Sequence, residues 1–149
     1  MNQETKVDFS NNTTAHSKPV KQGNRHIDKK QLKSLGRHML ADLHGCDLEI
    51  ISSQSQMREL LLEAARISGA TIVTDVFHTF NPHGVSGVVV IAESHIAVHT
   101  WPEHLCVSLD FFSCSDKMNI HAALNYLSTS LKCRSSDLRI MDRGLLVTP

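Results

Sequence analysis

The chain has 149 residues, enough for one domain around a single modest core. Its 15 Lys and Arg balance its 15 Asp and Glu, so no charge excess points to nucleic acid or to a membrane surface. No apolar run reaches the roughly 18 residues of a spanning helix, which excludes a helical transmembrane segment.

Residues 1–33 are rich in Asn, Gln, Ser, Thr and Lys and carry few large apolar groups. Such a segment cannot bury enough surface to offset its ordering entropy, so it is predicted to be a disordered tail. Lys18, Lys21, Arg25, Lys29 and Lys30 make it mildly basic, and it is read as a solvated extension rather than a nucleic-acid arm. It lacks the apolar centre of a signal peptide. Cys46, Cys106, Cys114 and Cys133 form no C-x-x-C pair, and a reduced, cytoplasmic thiol set is expected.

A single domain is expected over residues 34–149. GRHMLADLHGC alternates loosely and ends in Gly45, which predicts a first strand. Ser53 or Ser55 is placed to cap a helix running to about Ser68, with Gly69 as its stop. Met57, Leu60, Leu61, Ala64 and Ile67 share the face it buries. Ala70–Phe80 reads as a strand, Asn81-Pro82-His83-Gly84 as a turn, and Val85–His99 as one continuous strand. Trp101-Pro102-Glu103 breaks it, and Leu105–Ser113 returns as another strand. Asp116 is placed to cap a helix through Lys132, with Ile120, Ala123, Leu124, Leu127 and Leu131 inward. Asp137–Arg143 is the last short strand.

Short connections between the middle strands require antiparallel pairing. The expected fold class is therefore α+β: a two-layer sandwich with a mainly antiparallel sheet and helices on one face. The segment Val85–Val98 is apolar at nearly every position, so both faces of the sheet seek burial. Two helices cover one face. The other is expected to pack on the sheet of a second copy in a homodimer.

Ten histidines invite a metal site, above all His95-x-x-x-His99. Residues four apart on a helix share a face and can hold one ion, but on a strand they lie about 13 Å apart. The β-branched surroundings of both histidines favour the strand, and no metal is expected.

Glu93-Ser94 carries a different possibility. Ser94 Oγ can attack the preceding Glu93 carbonyl through a five-membered ring, in an N-to-O acyl shift. That step needs backbone strain, an oxyanion stabiliser and a base. A serine in an apolar strand is more often a tolerated polar residue, but here His95, His99 and Cys114 follow, with Trp101, Glu103 and Asp110 nearby.

The stretches LKSLGRHML, SGATIV, FHTF, GVSGVVV, AESHIAVHTWPE and LDFFSC together resemble the self-cleaving, pyruvoyl-dependent S-adenosylmethionine decarboxylases in their short bacterial and archaeal form. The resemblance runs from Lys33 to Arg143. It implies a proenzyme cut between Glu93 and Ser94 into chains 1–93 and 94–149, with Ser94 becoming a covalent pyruvoyl group. His99 matches the residue credited with accepting the Ser94 Cα proton, and an imidazole of pKa about 6.5 suits that task. Cys114 matches the proton donor to the substrate carbon after CO₂ leaves; an ordinary thiol of pKa about 8.5 can serve as an acid. The pyruvoyl ketone is implied to form a Schiff base with the substrate amine and act as an electron sink.

Phe80 and Trp101 resemble positions where an aromatic ring stacks on adenine or faces the sulfonium, and Glu103 resembles the carboxylate that holds the ribose hydroxyls. Ser86 is expected to hydrogen-bond near the scissile bond, with Gly84 and Gly87 allowing close backbone approach there. Asp110 and Glu93 are supporting groups without an assigned role, and Cys106 and Cys133 are packing thiols. Two positions depart from many relatives: Ser115 replaces a glycine after Cys114, and His83 replaces an aromatic between Pro82 and Gly84.

The implied reaction converts S-adenosylmethionine to its decarboxylated form, the aminopropyl donor of spermidine and polyamine synthesis. Two alternatives share the scaffold. One is a pyruvoyl-dependent arginine or ornithine decarboxylase; Phe80, Trp101 and Glu103 favour the nucleoside substrate. The other is an uncleaved, non-catalytic partner subunit, which would be expected to lack Ser94, His99 or Cys114.

Overall fold

A computed structural model describes residues 32–147. The expected tail lies outside them except for Leu32 and Lys33. These form a short strand, β1, paired with Leu146–Val147, β8.

The main sheet has six strands, all pairs antiparallel, in the order β3-β4-β5-β6-β2-β7. They are β2 (Gly36–His44), β3 (Ile72–Thr79), β4 (Val85–Ile91), β5 (Ser94–Trp101), β6 (Cys106–Ser113) and β7 (Ser135–Arg143). Alternation decides which face is buried. Met39, Ala41 and Leu43 of β2, Val85, Val89 and Ile91 of β4, Ile96 and Val98 of β5, and Val107, Leu109 and Phe111 of β6 are buried on one face. Helices α2 (Gln54–Ile67) and α3 (Ile120–Ser130) pack together over that face, with the short α1 (Leu48–Ser52) beside them. The two-layer α+β architecture is the one the sequence pattern predicts.

Local corrections have identifiable causes. Val85–His99 is not one strand but two, β4 and β5, joined at Ala92-Glu93. No Gly, Pro or Asn marks this turn. It is held instead by Glu93, whose carboxylate accepts the Thr71 N–H at 3.1 Å, and by the Ala92 N–H donating to Thr71 O at 2.8 Å.

Helix α2 starts at Ser53 as expected, the Ser53 hydroxyl accepting from Gln56 N–H, and stops before Gly69 at φ +79°. Its buried face is Met57, Leu61, Leu62, Ala64 and Ala65, whereas Ile67 is exposed. The apolar stripe is thus rotated from the expected one. Helix α3 is capped by Asn119 accepting from Ala122 N–H, not by Asp116, and its five expected inward residues are all buried. Helix α1 was not foreseen; Asp47 caps it by accepting from Glu49 and Ile50 N–H.

The sheet face away from the helices is uncovered in a single copy. Val76, Val90 and Trp101 lie there, 63%, 36% and 39% exposed. Among the described residues no helix is long and apolar enough to cross a membrane.

Candidate active site

The β4–β5 turn sets the conformation of Ser94. Its φ is +151°, a region almost restricted to glycine, where a residue with a side chain costs on the order of 1–3 kcal/mol. The strain falls on the residue that follows the bond expected to break. The preceding carbonyl is also polarised: Glu93 O accepts the Cys114 N–H at 2.9 Å. That contact follows from register, because Ser94 pairs with Ser113 across β5 and β6. A backbone donor aimed at Glu93 O is placed to receive negative charge at that oxygen in the expected attack by Ser94 Oγ. Ser94 Oγ lies 3.3 Å from His95 Nδ1.

A second cluster occupies the other end of the same strands. Ser86 pairs with His99 across β4 and β5, and Ser86 Oγ lies 2.7 Å from His99 Nδ1. With the proton on Nδ1 and donated to Ser86, His99 Nε2 presents a lone pair. The Trp101 ring stands 6.2 Å from His99, and Phe80 packs edge-on to His78 at 4.7 Å. Phe80, Ser86, His99, Trp101 and Glu103 line one open cleft of about 340 Å³. Glu103 Oε2 lies 3.2 Å from His83 Nε2, so the unusual residue at position 83 touches the expected ribose carboxylate.

Eight of the sequence-predicted residues therefore fall into two groups. Glu93, Ser94 and Cys114 stand at one end of the sheet, and Ser86, His99, Phe80, Trp101 and Glu103 at the other. Five residues along β5 separate Ser94 from His99, about 16 Å at the rise of a strand. Ser86, Gly84 and Gly87 accordingly do not approach the scissile bond of their own copy. Gly87 instead makes room for Phe77, whose Cδ1 would lie 2.1 Å from any Cβ there. Gly84 has φ +105°, and a Cβ there would lie 3.2 Å from Thr100 O.

Two features were invisible in the residue pattern: the Cys114 backbone donor and the His83–Glu103 pair. His95 next to Ser94 was visible, as a possible metal ligand and among the groups that follow Ser94, but without a role of its own. Among the described residues no group of three His, Cys, Asp or Glu is arranged to hold a metal ion. Burial pushes the Cys46 thiol up to about 12, with Cys133 and Cys106 adding to it, and raises Cys106 as well. Cys114 is exposed beside a cleft of about 490 Å³ that also includes Arg37 and Asp142. A further cleft of about 510 Å³, lined mainly by α2 with Ile50 of α1 and Tyr126 of α3, carries none of these groups.

Comparison with known proteins identifies the family. The sequence pattern of S-adenosylmethionine decarboxylase matches residues 37–144. The chain belongs to the S-adenosylmethionine decarboxylase family. It is 46% identical over 115 residues to the S-adenosylmethionine decarboxylase proenzyme of Pelotomaculum thermopropionicum, covering 77% of this chain and 91% of the relative. It is 41% identical over 118 residues to the proenzyme of Acetivibrio thermocellus, covering 79% and 95%. The crystal structure of adenosylmethionine decarboxylase from Aquifex aeolicus superposes with a TM-score of 0.71 at 38% identity, covering 76% of this chain and 94% of that one. As a decarboxylase of this family the chain is an enzyme, and the proenzyme form of its relatives agrees with a strained backbone at Ser94.

Proposed function

We propose that the chain cuts itself between Glu93 and Ser94, turns Ser94 into a pyruvoyl group, and then decarboxylates S-adenosylmethionine in the cytoplasm to supply an aminopropyl donor for polyamine synthesis. The observation that carries this reading is the geometry of the scissile bond. Ser94 is held at φ +151° while the Glu93 carbonyl it must attack accepts the Cys114 N–H at 2.9 Å. The cofactor's origin fits the residues present, since Ser94 begins a strand immediately after an exposed turn.

The acyl shift transfers the Glu93 acyl group from the Ser94 nitrogen to its Oγ. His99 then takes the Ser94 Cα proton, Glu93 leaves as a carboxylate, and hydrolysis releases ammonia. A pyruvoyl group at this position supplies an electron sink for the pair left when CO₂ departs. Cys114 stands beside Ser94 and donates the proton to the substrate carbon rather than to the cofactor. Trp101 and Phe80 offer rings to adenine or the sulfonium, a contact worth about 0.5–2 kcal/mol for a cation. Glu103 accepts from the ribose hydroxyls, with His83 holding its other side.

His99 cannot perform its step on the Ser94 of its own copy across about 16 Å. The site is completed by a second copy, packed face to face through the uncovered sheet with its strands reversed. His99, Ser86 and the aromatic cleft of one copy then meet Ser94 and Cys114 of the other. A two-fold axis makes two such sites from one self-complementary surface. Val76, Val90 and Trp101 supply apolar area for it.

The test is release of labelled CO₂ from carboxyl-labelled S-adenosylmethionine, with arginine and ornithine as competing substrates. Release from S-adenosylmethionine alone, abolished by Ser94→Ala, is expected. Release from arginine or ornithine instead would transfer the chemistry to a smaller substrate, and release from none would leave a non-catalytic homologue.

A further inference from the structure

The acyl shift needs a base at Ser94 Oγ, and His99 stands about 16 Å away along β5. The imidazole in hydrogen-bonding reach of Ser94 Oγ is that of His95, whose Nδ1 lies at 3.3 Å. This is slightly long, as contacts between a nucleophile and its base often are before reaction.

His95 is also held in place. Register sets His38, Phe112 and His95 side by side across β2, β6 and β5 on the uncovered face. The His95 ring stands 5.8 Å from Phe112 and edge-on to His38 at 6.3 Å. Arg143 Nη1 donates to His38 Nδ1 at 2.9 Å and its guanidinium lies over the Phe112 ring at 5.7 Å. An arginine donor on Nδ1 leaves His38 neutral with its proton on Nε2. The ring against His95 is therefore uncharged, and His95 can take a proton without a second imidazolium beside it.

We propose that His95 is the base that activates Ser94 Oγ for the first step of self-cleavage, a role separate from that of His99 in the second. The inference rests on the self-cleavage reading above. His95 Nδ1 takes the Ser94 hydroxyl proton as Oγ bonds to the Glu93 carbonyl carbon, and the Cys114 N–H holds the resulting oxyanion. The C–N bond between Glu93 and Ser94 then breaks. His95 returns its proton to the Ser94 nitrogen, leaving an ester and a free amine with no net gain or loss of protons. His99 of the second copy acts only on that ester.

The experiment follows cleavage of the full chain on denaturing gels and by mass, with and without neutral hydroxylamine, which cuts an ester at Glu93 and spares amides. The parent, His95→Ala, His95→Gln and His99→Ala are compared, with thermal unfolding of each. The parent is expected to cleave unaided. His99→Ala should stay intact until hydroxylamine cuts it after Glu93. Both His95 variants should fold and cleave at least about 100-fold more slowly, with or without hydroxylamine. Glutamine can hydrogen-bond to Ser94 but cannot take its proton, so it separates base catalysis from positioning.

A His95 variant that cleaves at the parental rate, or that hydroxylamine cuts as readily as His99→Ala, overturns the proposal and leaves self-cleavage standing. Loss of fold in both variants overturns it too, by assigning the residue to packing. An intact parent removes the self-cleavage reading itself, and this proposal with it.

Discussion

Co-expression of two inactive variants tests the division of the site between copies. Ser94→Ala removes the proposed nucleophile, and His99→Ala removes the residue proposed to act on the ester. An imidazole acts over a hydrogen bond of about 3 Å, directly or through one water, whereas about 16 Å of strand separates it from Ser94 of its own copy. Neither variant alone can therefore complete cleavage. In a mixed dimer, the Ser94 of the His99→Ala copy faces the His99 of the Ser94→Ala copy, and this one site is whole. With equal expression and random two-fold pairing, about half the dimers are mixed and about a quarter of all chains should be cut. Distinct affinity tags on the two variants, read by denaturing gel, assign the cut chains to the His99→Ala partner. No cleavage in a mixture whose tags co-purify would refute the division and require His99 to reach Ser94 within one copy.

Other expectations follow from individual contacts. Cys114→Ala keeps the backbone N–H on Glu93 O, so it should cleave near the parental rate while turnover falls about 10²–10⁴-fold; equal loss of both activities would contradict the separate roles. Gly87→Ala places a Cβ 2.1 Å from Phe77 Cδ1, and overpacking of this kind should cost about 1–3 kcal/mol, read as a lower urea midpoint. Burial, aided by Arg143 and His95 and opposed by Asp110, holds His38 below its ordinary 6.5, so the unfolded chain binds more protons there than the folded one. The stability this neutral ring leaves intact is full above about pH 6.5 and falls as pH drops toward the lower folded value. His38→Gln should therefore lose less stability than the parent between about pH 7 and pH 5.5, in paired urea titrations; identical losses would remove His38 from the account.

Much of this was legible in the residues because it rests on pattern. The alternation of Met39, Ala41 and Leu43, the stripe of Ile120, Ala123, Leu124 and Leu127, and the glycine after Ser68 each express a local rule. The turn at Ala92-Glu93 follows no such rule. It is imposed by Thr71, a distant backbone group that meets the Glu93 carboxylate only once β3 and β4 pair. For the same reason the strain at Ser94 and the donor from Cys114 cannot be read from composition: both arise from register between β5 and β6. The proposed division of the site was partly within reach. The rise per residue that separates His95 from His99, and argues against a shared metal, also separates Ser94 from His99. What the strand rise could not give was the uncovered sheet face through which the proposed second copy would bring the two ends together. The pair of His83 with Glu103 likewise joins the turn before β4 to the short helical turn that follows β5.

The most direct test is the intact mass of the purified chain under denaturing, reducing conditions. Two fragments split after Glu93, the C-terminal one beginning with pyruvoyl in place of serine, are the predicted result. A single uncut chain that persists through prolonged incubation would contradict the account at its centre.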